Sequence, residues 1–98
     1  MTRDEIMARI RSRAGDIKAL GASALFLFGS AARDELRDDS DIDVFIDREP
    51  GARFTFVELT DLLFLLEEEF GREVDLTTRG GLHPRLRDRI EASAARVL

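Results

Sequence analysis

The chain has 98 residues, 44% apolar and 36% charged, with 20 acids against 15 bases for a net charge of -5. That is the size of one domain with one core, able to bury only about 65% of the surface its unfolded form exposes. The absence of cysteine excludes thiolate metal sites, disulfides and a cysteine nucleophile, and the acidic balance argues against coating nucleic acid, which needs many Lys and Arg to displace phosphate counterions.

The first twenty residues are charged throughout and lack the apolar stretch of roughly 7–15 residues that a secretory signal requires. No later run is apolar for long enough to suggest a membrane span. The expectation is a cytoplasmic protein, a single domain over residues 1–98, with no membrane partner and no direct contact with nucleic acid. Recognition of a large acceptor would then have to come from outside this small core.

Thr2 and Glu5 have the spacing of a capping box, and Ile6, Ile10, Ala14 and Ile17 recur at helical intervals until Gly21 can end the run. The pattern predicts one amphipathic helix. Ala24 to Phe28 is a short apolar run stopped by Gly29, which suits a buried strand better than a helix of one turn. A short helix over Ser30 to Leu36 and a polar loop from Arg37 to Ser40 follow. Asp41 to Asp47 alternates, with Ile42, Val44 and Ile46 on one face and Asp41, Asp43, Phe45 and Asp47 on the other, which predicts a second strand.

After the Pro50-Gly51 turn, Leu59, Leu62, Leu63, Leu66 and Phe70 form a helical stripe ended by Gly71. Val74 and Leu76 alternate with Glu73, Asp75 and Thr77 in a third strand, and Gly80-Gly81 opens a loop. Pro84 suits the first turn of a last helix, with Leu82, Leu86, Ile90, Ala94 and Val97 on one stripe. Helices alternating with about three strands make the fold class α/β.

The first strand runs into Gly29-Ser30, and ten residues later Asp41-Ile42-Asp43 opens the second strand. Residues i and i+2 of a strand share a face about 6.6 Å apart, so both carboxylates look one way while Ile42 and Val44 hold the other side. Two like charges about 5 Å apart at an effective dielectric of 20 repel by roughly 3 kcal/mol, so such a pair calls for a shared proton or a cation. With oxygen ligands only, Mg²⁺ is the natural ion, and it completes its shell with water and substrate phosphates. Glycine lets the backbone approach a phosphate, and the Ser30 hydroxyl with neighbouring N–H groups can hold its oxygens. Arg33 lies one turn on. If the second and third strands are neighbours, Asp75 joins Asp41 and Asp43, and three carboxylates surround two metals.

Other polar features read more plainly. Asp39, Asp41 and Asp43 imitate the start of an EF-hand loop, but Val44 and Pro50 occupy the positions that need glycine and the closing glutamate. His83 reads as a surface residue at a helix start rather than a ligand. The pairs Arg9/Arg13 and Arg85/Arg89 read as solvated helix faces.

The stretch GSAARDELRDDSDIDVFI resembles the signature of minimal nucleotidyltransferases of the DNA polymerase beta-like superfamily, Gly-Ser followed ten residues later by Asp-X-Asp. VDLTTRGGLHPRLRDRI is similar to the third-carboxylate strand and closing helix of the MNT antitoxins of HEPN/MNT toxin-antitoxin pairs, so the likeness covers most of the chain. The resemblance implies a small mixed sheet flanked by helices. It implies that Gly29, Ser30 and Arg33 bind the triphosphate, that Asp41 and Asp43 bind two Mg²⁺ ions, and that Asp75 binds one metal and the attacking hydroxyl as general base. It further implies an antitoxin that transfers AMP from ATP to a tyrosine of a HEPN ribonuclease toxin. Asp34 departs from the family, many members of which have Gly after the Arg, and it brings a negative side chain near the phosphate loop.

Two other functions compete with that one. A contact antitoxin would block its toxin without catalysis, and a transferase acting on a small molecule such as an aminoglycoside would need a second domain or a dimer to build its acceptor pocket. Independently, the helix over residues 55–70 is apolar around most of its cylinder. Val57 and Phe64 lie nearly opposite its main stripe, as part of a surface for a homo- or hetero-oligomer.

Overall fold

The computed structural model describes all residues, 1–98. In chain order the elements are α1 (Arg3–Arg11), α2 (Ala14–Ala19), β1 (Ala22–Phe28), α3 (Gly29–Ala32), β2 (Ile42–Arg48), α4 (Phe56–Phe70), β3 (Val74–Thr78), a 3-10 turn (Arg79–Gly81), α5 (Arg87–Ser93) and β4 (Ala95–Arg96). The four strands form one mixed sheet in the order β3-β2-β1-β4. β1 runs antiparallel to β2 and β4, while β2 and β3 are parallel. Parallel neighbours require a crossover, and α4 supplies it. The α/β class and mixed sheet are therefore as expected, with a fourth, two-residue strand added.

The alternation in β2 divides the sheet into two unlike faces. Ile42, Val44 and Ile46 join Leu25, Leu27 and Val74 in the main core, against Ile6, Ile10 and Ile17 from the N-terminal helices and Leu62, Leu66 and Phe70 from α4. Each fully buried side chain of this kind contributes about 1.5–3 kcal/mol, so the helical layer is held chiefly by this face. The capping box of Thr55 with Glu58 and the left-handed Gly71 bound α4 as its pattern predicts. Arg9 and Arg13, rather than standing in solvent, both reach Glu69 on α4, at 3.3 and 3.6 Å.

On the opposite face Phe26 and Phe45 stack with centroids 4.7 Å apart, and Phe45 is wholly buried. Arg79 lies over both rings, at 4.9 and 5.1 Å from their centroids. Its guanidinium grips Asp47 at 2.7 and 3.0 Å and donates to Glu91 of α5 at 2.9 Å. One side chain thus ties the 3-10 turn and α5 to the sheet.

Three boundaries differ from the sequence pattern, each for a polar reason. The single N-terminal helix is two: the Ser12 hydroxyl donates to the Arg9 carbonyl and the Arg13 N–H turns to Ile10, three residues back, which breaks the α-helical ladder. The helix after Gly29 stops at Ala32, because Asp34 takes a left-handed backbone (φ 60°). The last helix stops at Ser93 and Val97 is not on it, since β4 turns instead to the edge of β1, where the Val97 N–H reaches the Leu25 carbonyl at 2.8 Å. Satisfying an otherwise unpaired strand edge outweighs about one more helical turn, Ala94 to Val97. Leu86 is accordingly 45% exposed.

Arg79→Ala is expected to lower stability by about 1–2 kcal/mol, the sum of a half-exposed bidentate ion pair and a cation–π contact. Thermal melts should show a drop of roughly 5–15 °C. Arg79 holds the Asp47 carboxyl below its ordinary range, so this contribution is present at neutral pH and fades as pH falls through the depressed value. The gap between native and variant should narrow in acid.

Candidate active site

β1 delivers the chain to Gly29, which has φ +65° and sits so close to β2 that a Cβ there would collide with the Asp43 carboxylate. Only glycine meets both conditions. Asp43 in turn is in register with Phe28 on β1 and with Asp75 on β3. Residues directly opposite each other on adjacent strands point to the same face about 4.8 Å apart, so the two carboxylates stand side by side on the face away from the main core. The neighbourhood of β2 and β3 that the sequence left conditional is therefore realised.

Burial pushes the Asp43 carboxyl up from 3.8 to about 6, and the negative charges of Asp75 and Asp41 push in the same direction, with Arg33 pulling against them. Asp41 precedes β2 in exposed backbone and acts on Asp43 from the rim. The three acids do not close into a cage, and no group of three His, Cys, Asp or Glu side chains is spaced to hold an ion by protein ligands alone. The expected three-carboxylate enclosure is thus an adjacent pair with a third acid at its edge. Oxygen donors, mutual repulsion and a glycine that leaves the Asp43 carboxylate uncovered suit Mg²⁺, which binds through one or two carboxylates and takes the rest of its shell from phosphate and water.

Beside the Gly29-Ser30 turn lies a polar cavity of about 560 Å³ bounded by Ser30, Arg33, Glu35, Arg37, Asp39 and Ser40, with no apolar side chain. Arg33 is paired with Glu35 at 3.2 Å. Asp34, which the sequence places near the phosphate loop, turns its carboxylate instead to the Arg3 N–H at 2.7 Å. There it satisfies a free donor of the first turn of α1, where negative charge is favoured. His83 accepts from the Arg85 N–H at 3.2 Å, a turn-closing role remote from catalysis.

Two contributors carried no sequence signal. Arg72, just ahead of β3, donates to the carbonyls of Arg37 and Asp38 at 2.5 and 2.7 Å and so fixes the loop that leads to Asp41. Phe28 shares the face of Asp43 and is tilted against Phe45 at 5.8 Å, which gives the carboxylates an aromatic flank. Both depend on contacts between distant parts of the chain.

The chain is similar to known proteins in sequence and in fold. The family model described as nucleotidyltransferase domain matches residues 8–97. The Methanocaldococcus jannaschii protein named "Putative protein adenylyltransferase MJ0435" is 41% identical over 78 residues, covering 80% of this chain and 82% of that one. A solved structure described as a "putative minimal nucleotidyltransferase" superposes with a TM-score of 0.82 at 34% identity, over 97% of this chain and 95% of the other. A toxin-antitoxin structure with AMP-PNP shares the fold at a TM-score of 0.69 and 16% identity, over 100% of this chain and 73% of that chain. No helix of the chain is long and apolar enough to cross a membrane.

The raised Asp43 has a stability consequence with a definite sign. Its folded-state value lies above its ordinary one, so its contribution is full below about pH 4 and is lost as pH rises through about 6. In EDTA, Asp43→Asn should therefore melt higher than the native protein above pH 6, by about 1–2 kcal/mol after discounting for solvent screening. The two curves should converge toward pH 4. Adding Mg²⁺ at pH 7.5 should raise the native melting temperature and leave the variant unmoved.

Proposed function

The chain belongs to the nucleotidyltransferase domain family, and from that premise we propose that it is a metal-dependent protein adenylyltransferase, an antitoxin that transfers AMP from ATP to a tyrosine hydroxyl of a HEPN ribonuclease toxin. The observation that carries this reading is the registered pair Asp43 and Asp75 beneath the Gly29-Ser30 turn. Support for a protein acceptor comes from the relative named for protein adenylylation, and support for a toxin and an adenine nucleotide comes from the fold shared with a toxin-antitoxin structure holding AMP-PNP. The matched nucleotidyltransferase domain spans residues 8–97 of this chain.

Asp41 and Asp43 would hold two Mg²⁺ ions, with Asp75 sharing one, and the ions supply charge neutralisation for the triphosphate and a lowered pKa for the attacking hydroxyl. Gly29 and Ser30 seat the triphosphate, and Arg33 faces it as a counter-charge. Asp75, on the outer strand, takes the proton from the tyrosine hydroxyl. The freed oxygen forms a bond to the α-phosphorus, the bond from that phosphorus to the bridging oxygen of the β-phosphate breaks, and pyrophosphate leaves in line. Atoms and charge balance with no further reactant.

Phe56, Val57 and Phe64 stand 80%, 62% and 61% exposed on α4. Isolated apolar residues are ordinary on surfaces, but three on one helix offer apolar surface that a partner can cover. This surface is assigned to partner or self-association, and Phe64→Asp should weaken assembly while leaving the fold intact. Unchanged assembly would remove the assignment.

The function is tested by incubating the protein with α-labelled ATP, Mg²⁺ and its HEPN partner. Label should appear on a tyrosine of the partner, and Asp43→Asn or Asp75→Asn should reduce the rate by about 100-fold or more. Neutralisation of the toxin without label, equally well by Asp43→Asn, would replace this reading by a contact antitoxin. Label on an aminoglycoside alone would replace it by small-molecule transfer.

A further inference from the structure

We infer that Arg37 is a further ligand of the polyphosphate tail and that Arg72 positions it. The inference rests on the nucleotidyltransferase reading above and adds to it a residue that neither the Gly-Ser turn nor the carboxylates include. Arg37 bounds the polar cavity next to Ser30 and Arg33. Arg33 shares its charge with Glu35 at 3.2 Å, whereas no carboxylate lies within ion-pair distance of the Arg37 guanidinium. In a chain of net charge -5, with Asp41, Asp43 and Asp75 close by, an incoming polyanion meets repulsion on one side of the site. Glu35 and Asp39 also line the cavity, and Arg37 is its positive charge without an ion-pair partner; a guanidinium matches phosphate oxygens in a planar fork.

The backbone that carries Arg37 is fixed before any ligand arrives. Its N–H donates to the Ser40 hydroxyl at 3.2 Å, and the Ser40 N–H returns a hydrogen bond to the Arg37 carbonyl at 3.1 Å. Arg72 then clamps the Arg37 and Asp38 carbonyls from outside the loop. Arg72 stands three residues before Asp75, so the segment leading into the strand that brings the third carboxylate also holds the loop that presents Arg37. A preorganised loop loses less entropy when its side chain binds. Arg72 is a positioning residue here, because its Nη2 is spent on the two carbonyls of the Arg37 loop.

Binding to Mg²⁺ with inorganic tripolyphosphate, ATP or AMP, read by calorimetry without turnover, tests this. Arg37 is exposed, so Arg37→Ala should melt within a degree or two of the native protein. It should bind ATP and tripolyphosphate about tenfold or more weakly, the worth of a charge-assisted contact, and bind AMP unchanged. Arg37→Lys should recover part of the loss. Arg72→Ala should weaken tripolyphosphate binding in the same direction and raise KM for ATP more than it lowers kcat. Native-like tripolyphosphate binding by Arg37→Ala would overturn the inference while leaving the proposed function standing. Failure of the native chain to bind either polyphosphate would overturn both.

Discussion

The constraint on which the molecule turns is the enforced proximity of two carboxylates. Asp43 and Asp75 are opposite each other on parallel strands, a distance at which like charges repel by about 3 kcal/mol even at an effective dielectric of 20. Nothing in their own chemistry brings them together. The sheet does, because Ile42 and Val44 on the other side of β2 and Val74 on β3 are buried in the core, and withdrawing any of them from it would expose apolar surface. Repulsion on one face is thus held in check by packing on the other, and the site is poised for a cation without having to rearrange.

The face that bears the carboxylates is equally well supported behind them. Phe26, Phe28 and Phe45 form a continuous aromatic floor, and Arg79 bridges this floor, Asp47 and α5. Gly29, in its left-handed conformation, is pressed against Asp43 from the side. The carboxylate is therefore bounded by the Gly29 backbone and by the like charge of Asp75. The rim elements, by contrast, are held by hydrogen bonds: Arg72 on the loop before β2, and Asp34 on the first turn of α1. Rigid centre and tethered rim together explain how so small a core can present a defined site.

What could be read from the sequence was what local spacing encodes. The alternation of Ile42 to Asp47, the stripe of α4 and the Gly-Ser turn before Asp41-Ile42-Asp43 are all properties of adjacent residues, and they placed β1, β2 and the long helix, with Asp43 on β2. Asp75 was legible only on the condition that β3 lies next to β2, since strand order is a property of the whole sheet. The clamps escaped notice because Arg79 meets Asp47, and Arg72 meets Arg37, more than thirty positions away. The C-terminal stripe misled for a related reason: Leu82 and Val97 are both buried, but Val97 belongs to the main core and Leu82 does not. Helical periodicity had merged a residue of the main core with one outside it. At the N-terminus, a serine hydroxyl competing for a backbone carbonyl broke a helix whose apolar spacing was continuous.

The crossover that makes β2 and β3 parallel also sets the order in which the protein comes into being. Hairpin-like pairing of β1 with β2 is available as soon as both have left the ribosome, but β3 is synthesised only after all of α4, and its docking closes a long loop at an entropic cost. A nascent or prematurely terminated chain that lacks β3 has Gly29 and Asp43 without Asp75. The juxtaposition of Asp43 with Asp75 is therefore a late event, coupled to completion of the sheet.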